Sequence, residues 1–209
     1  LIRDNANAPI ARSRAVLSLA PGRDTGVQAR DTGLQLSGAI SRAKRPLVEY
    51  TAGLFRGQLL MDSPTAHYRA AAGRLIVHPL PGLSAGGDWY GSFSTTHRPV
   101  KRRAAAEGAY ERGRLTLRAE QLWARDGALH RRGGYLLGAW RLSPHWEPLA
   151  RTDWLTTNAD RPDTTSVACM TGLNFYISRY VKLSANTGAQ HNPGPRGVTS
   201  IFLAQTMVG

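Results

Sequence analysis

Apolar and polar residues alternate with a period of two in one segment of this chain after another. Since successive side chains of a strand point to opposite faces, this period predicts strands with one apolar face and one polar face. The clearest segments are 47–55, 67–77, 86–95, 134–142, 166–177 and 181–190. Less regular segments at 27–40, 104–111, 115–124, 147–156 and 198–208 bring the number of predicted strands to about eleven.

The Ala-rich and Glu/Arg-rich stretch 104–125 has an alternative interpretation, because its composition would also support a helix. Gly108 and Gly113 interrupt that helix, and the residues from Leu115 onwards alternate with a period of two. The stretch is therefore predicted as two strands. With this assignment the sequence predicts an all-β, antiparallel fold.

The predicted links between strands alternate between long, polar ones and short ones over much of the chain. The long links are 56–65, 96–103, 125–133, 157–165 and 191–197, the short ones are 111–114, 143–146 and 178–180, and 78–85 is intermediate. Outer-membrane β-barrels have long loops on the outer side and short turns on the inner side. The sorting of link lengths therefore predicts an antiparallel transmembrane β-barrel.

The charge balance excludes some classes of protein and demands an anionic partner. The 209 residues carry 27 Lys and Arg against 14 Asp and Glu, a formal net charge of +13, while 42% of the residues are hydrophobic. That apolar fraction excludes a disordered polycation. The anionic partner would be nucleic acid, a lipid or lipopolysaccharide surface, or small anions in a pore.

The sequence contains no pattern of a catalytic or metal site. Its one cysteine excludes a disulfide framework, and the six histidines lack the spacing of metal ligands. Neither a glycine-rich phosphate loop nor a nucleophile elbow is present. We therefore expect no enzymatic activity, no metal and no cofactor.

Four strand cations fall on the polar side of their alternation: Arg74, Arg118, Arg151 and Lys182. A cation facing lipid at the membrane midplane costs roughly 2–4 kcal/mol, so we expect these four to line a watery lumen. There they would form an anion path, with a basic extracellular loop gathering anions at the mouth. That loop comprises His97, Arg98, Lys101, Arg102 and Arg103. Alternatively, the strand arginines pair with Asp and Glu across the lumen and only hold the wall together.

Tryptophans fall near predicted strand ends more often than near strand centres. Aromatic girdles at the two interfaces of a membrane β-barrel would place them there, although aromatic residues also favour strands in general. The predicted girdle residues are Trp89, Trp123, Trp140 and Trp154.

Short motifs from about residue 20 onwards resemble a known family. They include YTAGLFRG at 50–57, RLIVHP at 74–79, LRAEQL at 117–122, WEPLARTDWL at 146–155 and GLNFYI at 172–177. In order and spacing, the chain resembles the C-terminal portion of the phosphate-selective porin O/P family of outer-membrane β-barrels. The resemblance implies a barrel of about sixteen strands, often a homotrimer, that passes anions such as phosphate by diffusion.

The resemblance also leads to an expectation about domain organisation. Residues 1–209 would form one porin β-barrel domain whose N-terminal strands are missing, with 1–20 as a loop or irregular segment. The expected function is an anion-favouring outer-membrane porin. Its partners would be outer-membrane lipid, lipopolysaccharide and small anions, and nucleic acid would not be one of them.

A soluble, basic, β-rich nucleic-acid-binding protein is the alternative function. It would use residues 97–103 as a phosphate-binding patch, and its binding would depend steeply on salt. The apolar side of many strands would then face water or require a second sheet.

Overall fold

The computed structural model describes residues 33–43, 45–55, 68–94, 101–178, 181–194 and 197–208. Eleven strands account for most of these residues. The strands are β1 (Gly33–Arg42), β2 (Arg45–Phe55), β3 (Tyr68–Leu80), β4 (Leu83–Ser94), β5 (Lys101–Arg112), β6 (Leu115–Asp126), β7 (Leu129–Trp140), β8 (Trp146–Thr156), β9 (Thr165–Tyr176), β10 (Val181–His191) and β11 (Val198–Val208). The predicted all-β class and the predicted strand number are confirmed, and 104–125 is strand rather than helix.

The strands form one antiparallel sheet in sequence order, from β1 to β11. Each strand pairs with the strand before it and the strand after it, and β1 does not pair with β11, so the sheet is open. Among the described residues, no helix is long and apolar enough to cross a membrane.

The two faces of the sheet differ in burial, residue by residue. Along β8, for example, Glu147, Leu149, Arg151, Asp153 and Leu155 are all buried, whereas most of the residues between them are more exposed. We call the face that carries these five the inner face and the opposite one the outer face. Within the described residues, no second layer of strands covers the inner face. Its side chains are buried because they pack against one another.

An apolar cluster on the inner face joins β5 to β8. It consists of Ala105, Leu122, Ala124, Tyr135, Leu137, Ala139, Leu149 and Leu155. The outer face instead exposes large apolar side chains, among them Leu117, Leu136, Leu173 and Phe202.

Tight turns differ from the sequence-based expectation in two places. The link 78–85 was expected to be of intermediate length, but it is a two-residue turn in which Gly82 has a φ of 83°. The link 125–133 was expected to be long, and this prediction was wrong. β6 and β7 are joined by Gly127 and Ala128 alone, with Gly127 at a φ of 63°. Glycine suits a turn residue with positive φ, because it has no Cβ to clash with the backbone.

The link lengths remain sorted between the two ends of the sheet apart from that one turn. At the short-link end the links are 43–44, 81–82, 113–114, 141–145 and 177–180, and at the long-link end they are 56–67, 95–100, 127–128, 157–164 and 192–197. Residues 1–20, predicted as a loop or irregular segment, lie outside the described residues.

The predicted basic loop needs a correction, because β5 begins at Lys101. Lys101, Arg102 and Arg103 are therefore strand residues rather than loop residues. Arg103 lies on the inner face and Arg102 on the outer face. His97 and Arg98 lie outside the described residues. The sequence misplaced this boundary because Arg and Lys carry no turn signal that would mark where the loop ends.

Candidate functional site

The inner face of β3 to β10 carries opposite charges in equal numbers. The cations are Arg74, Lys101, Arg103, Arg118, Arg131, Arg151 and Lys182, and the carboxylates are Asp88, Glu107, Glu111, Glu120, Asp126, Glu147 and Asp153. All four predicted lumen cations lie on this face. The carboxylates share this polar side, which agrees with the alternative that the strand arginines pair with Asp and Glu across the lumen. The wall is therefore polar and, at its formal charge, balanced.

Arg74 lies at the centre of the first ion-pair group. Its guanidinium donates to Glu107 Oε1 at 2.5 Å and lies 3.6 Å from Asp88 Oδ1. Asp88 is the register partner of Arg74 on β4, whereas Glu107 is one strand further away on β5. Arg74 thus connects three strands through one side chain.

Arg151 lies at the centre of the second group and is almost fully buried, with 2% exposure. Its Nε donates to Asp153 Oδ2 at 3.0 Å, and its guanidinium carbon lies 4.1 Å from the centre of the Tyr135 ring. A buried charge needs such partners, because removal from water costs several kcal/mol per ion. Arg118, by contrast, pairs with the more exposed Glu111 at 2.8 Å.

Glu147 organises a third group near the short-link end. Its Oε1 accepts hydrogen bonds from Asn174 Nδ2 and from the Tyr176 hydroxyl, each at 2.9 Å. Its Oε2 lies 3.3 Å from Arg141, whose guanidinium also stacks over the Tyr176 ring. Lys182, the register partner of Tyr176, forms no ion pair with any described carboxylate. It therefore differs from Arg74, Arg118 and Arg151.

The outer face has the opposite chemistry. From β3 to β10 its charged residues are all arginines, and they lie toward the ends of strands: Arg69, Arg102, Arg112, Arg125 and Arg132. No Asp or Glu of these eight strands lies on this face. Between the ends the face carries mainly Ala, Gly, Leu, Val and aromatic side chains.

All four predicted girdle tryptophans lie on the outer face. Trp123 and Trp154 lie toward the long-link end, and Trp140 lies at the short-link end, where Trp146 joins it. Trp89 lies near the middle of β4, in the same row across the sheet as Trp123. Trp146 and Trp154 are eight residues apart on β8, or about 27 Å along an antiparallel strand. With a strand tilt of about 40°, that separation spans roughly 21 Å along the membrane normal, somewhat less than the apolar band of about 25 Å in outer-membrane barrels.

The Trp154 ring is held in place by its neighbours. It lies across Gly134 of β7, and its Nε1 donates to Gln121 Oε1 on β6 at 3.1 Å. Gln121 in turn donates to the backbone oxygen of Gly133 at 3.1 Å. This arrangement satisfies the polar atoms of both side chains on a face that is otherwise apolar.

Metal chemistry receives no support from the described part of the chain. Nowhere within it do three or more His, Cys, Asp or Glu side chains come together in a way that could hold a metal ion. Arg74 lies between Asp88 and Glu107, and Arg151 lies beside Asp153, whereas Glu107 and Glu120 are direct register partners.

Comparison with known proteins extends the fold assignment. A search of solved structures found similarity to the outer-membrane expressed OmpT of Vibrio cholerae, with a TM-score of 0.57 and 11% sequence identity. The match covers 89% of this chain and 66% of the other, so this chain spans slightly less than two thirds of that protein. No protein-family model matches the chain, and no curated protein matches it. The likeness shows the fold, which is that of an outer-membrane β-barrel.

Proposed function

We propose that this chain forms the wall of a water-filled diffusion channel in an outer membrane. The inner face would line the channel and the outer face would contact lipid. Within this proposal the chain is a porin, and its resemblance to the phosphate-selective porin O/P family is one source of support.

The contrast between the two faces carries the proposal. Fourteen charged side chains lie on the inner face of β3 to β10, and the middle of the outer face carries none. A charge on the lipid side near the midplane costs roughly 2–4 kcal/mol, whereas a watery lumen tolerates it. A soluble nucleic-acid-binding protein would gain nothing from this separation, and it would expose Leu117, Leu136 and Trp123 to water.

Orientation follows from the link lengths. We place the long-link end outside the cell and the short-link end in the periplasm, as in outer-membrane barrels generally. The Trp rows near the two ends would then lie at the two interfaces of the membrane.

Ion preference would not arise from the arginines of β3 to β10 alone, because their charges are balanced by carboxylates. The net charge of +13 must therefore lie largely outside this part of the wall. We propose that cations near strand ends and in the links attract small anions, including phosphate-like oxyanions, to the channel mouths. Lys182, which has no carboxylate partner among the described residues, would be the exception within the wall.

Planar-bilayer recording from the folded full chain tests the proposal. We expect discrete conductance steps and, in a salt gradient, a reversal potential with the sign of anion preference. Folding into detergent micelles, seen as heat-dependent mobility in electrophoresis, is measured in parallel. A chain that remains soluble without detergent and binds DNA with a steep salt dependence would overturn the proposal.

A further inference from the structure

Three of the outer-face arginines meet at the long-link end of the sheet. Arg102 on β5 lies directly opposite Arg125 on β6 in the register. Arg125 is the register partner of His130 on β7. Arg132, two residues after His130, therefore lies diagonally across from Arg125. Directly opposed Cβ atoms are about 4.5–5.5 Å apart and diagonal neighbours roughly 7–8 Å, so three long side chains can converge on one point. We call Arg102, Arg125 and Arg132 the outer arginine cluster.

Within the described part of the chain, the cluster lacks the carboxylate partners that arginines have on the inner face. At the same end of the sheet, Arg103 and Arg131 on the inner face both pair with Asp126, at 2.7 and 3.3 Å. No carboxylate of the described residues forms an ion pair with the cluster, although all three of its side chains are exposed.

The surroundings of the cluster do not neutralise it. Arg125 Nε donates to the backbone oxygen of Gly127 at 3.0 Å, which leaves its charge uncompensated. The carboxylate of Asp160 contacts the His130 ring at 3.2 Å and forms no ion pair with an arginine of the cluster. Like charges directly opposite each other on neighbouring strands destabilise the sheet. An anion between them would remove this cost.

We propose that the outer arginine cluster binds the phosphate group of a phosphorylated lipid headgroup in the outer leaflet. The proposal rests on the proposed function, because it requires the outer face to contact lipid. Arg132 is the register partner of Trp123, and Trp89 lies in the same row across the sheet. Interfacial tryptophans mark the headgroup level, so the guanidinium groups lie where lipid phosphates are found.

The chemistry favours a lipid over a free phosphate ion. One guanidinium group can bind two phosphate oxygens at once through charge-assisted hydrogen bonds. These three lie on the face opposite the channel wall, so an ion passing through the channel does not meet them. Below them lies the apolar outer face, including Leu136 and Trp123, on which acyl chains attached to the same phosphate can pack.

Native mass spectrometry of the full chain, folded in detergent micelles, tests the site. The probes are bisphosphorylated lipid A, the same lipid after removal of its phosphates, and inorganic phosphate. The test variant is the double substitution Arg102→Gln/Arg125→Gln. The control is Arg112→Gln/Arg114→Gln, which removes the same charge from the other end of the same β5–β6 hairpin.

We expect the test variant to bind bisphosphorylated lipid A on the order of tenfold more weakly than the unmodified chain, as loss of charge-assisted contacts predicts. The control variant and the unmodified chain should bind it equally. Dephosphorylated lipid should bind all three proteins alike and more weakly.

Two results would overturn the lipid site. One is an equal loss of lipid A binding in both double variants, which would mean that overall charge is responsible. The other is binding of inorganic phosphate as tight as that of lipid A and equally sensitive to Arg102→Gln/Arg125→Gln, which would identify a free-anion site. Neither result would contradict the proposed function. The proposed function would be contradicted separately, by a chain that does not fold into micelles.

Discussion

Arg74 on β3 reaches past β4 to donate a hydrogen bond to Glu107 on β5, at 2.5 Å. The two residues are 33 positions apart in the chain, and Asp88 on the intervening strand lies beside the same guanidinium. One cation thus contacts two carboxylates on the inner face. Counted over β3 to β10, the charged side chains of that face carry no formal net charge.

Ion selectivity should respond to either partner of this pair, with opposite signs. Glu107→Gln leaves the inner face of β3 to β10 with one cation more than its carboxylates, and Arg74→Gln leaves it with one cation fewer. We expect the reversal potential in a salt gradient to shift toward anion preference in the first variant and toward cation preference in the second. The double variant Arg74→Gln/Glu107→Gln restores the balance and is the control. Shifts of the same sign in both single variants would contradict the prediction that permeating ions respond to the charges of Arg74 and Glu107.

Stability should depend strongly on the buried pair of Arg151 and Asp153. Asp153→Asn removes the carboxylate that the Arg151 guanidinium, 2% exposed, contacts at 3.0 Å. Breaking a buried ion pair from one side costs about 3–5 kcal/mol, and we expect a loss of this size in the free energy of unfolding. Urea titration of the chain folded in vesicles measures it.

A matched control for this loss is Asp160→Asn. Asp160 pairs with His130 across the exposed surface, where its carboxylate is 58% exposed. Exposed pairs contribute roughly 0–1 kcal/mol, so this variant should unfold close to the unmodified chain. Equal losses in the two variants would contradict the burial of the Arg151 pair.

Glycine should be required at position 134 but not at position 138, although both lie on the outer face of β7. A Cβ at Gly134 would meet the backbone oxygen of Glu120 and would lie 2.7 Å from the Trp154 ring. Gly134→Ala should therefore displace that ring from Gln121 and cost roughly 1–3 kcal/mol. At Gly138 the nearest atom is Leu117 Cδ2 at 3.5 Å, an ordinary contact.

Gly138→Ala is accordingly the control, and it should leave the free energy of unfolding nearly unchanged. Tryptophan fluorescence reports the displacement itself, because Trp154 loses its hydrogen bond only in Gly134→Ala. An unchanged spectrum together with unchanged stability in Gly134→Ala would show that the ring is not held as described.

Period-two alternation predicted the strands and their faces well. The apolar sides of 67–77, 86–95 and 134–142 all lie on the outer face, and Arg74, Arg118, Arg151 and Lys182 lie on the inner face. The alternation succeeds because the direction of a strand side chain depends only on its position along the strand. The turn at Gly127 was missed because the flanking Arg125, Asp126 and His130 resemble a polar loop, although they continue two strands.

Partners across strands could not be predicted in the same way. The sequence places Arg74 and Glu107 each on a polar side, but only the register brings Arg74 opposite Asp88 and within reach of Glu107. The same holds for Arg102 and Arg125, which the sequence assigned to two different links and which the structure places side by side.

The sequence by itself determined the all-β class, the strand number and the division of residues between two faces, because all three follow from local alternation. Where the net charge of +13 acts was decided only by the tertiary structure. Strand pairing puts a carboxylate beside most of the inner-face cations, and it leaves Arg102, Arg125 and Arg132 together without an ion pair to any described carboxylate. Electrostatic balance depends on distances of a few ångströms across strands, and those distances are not encoded in any one segment of the chain.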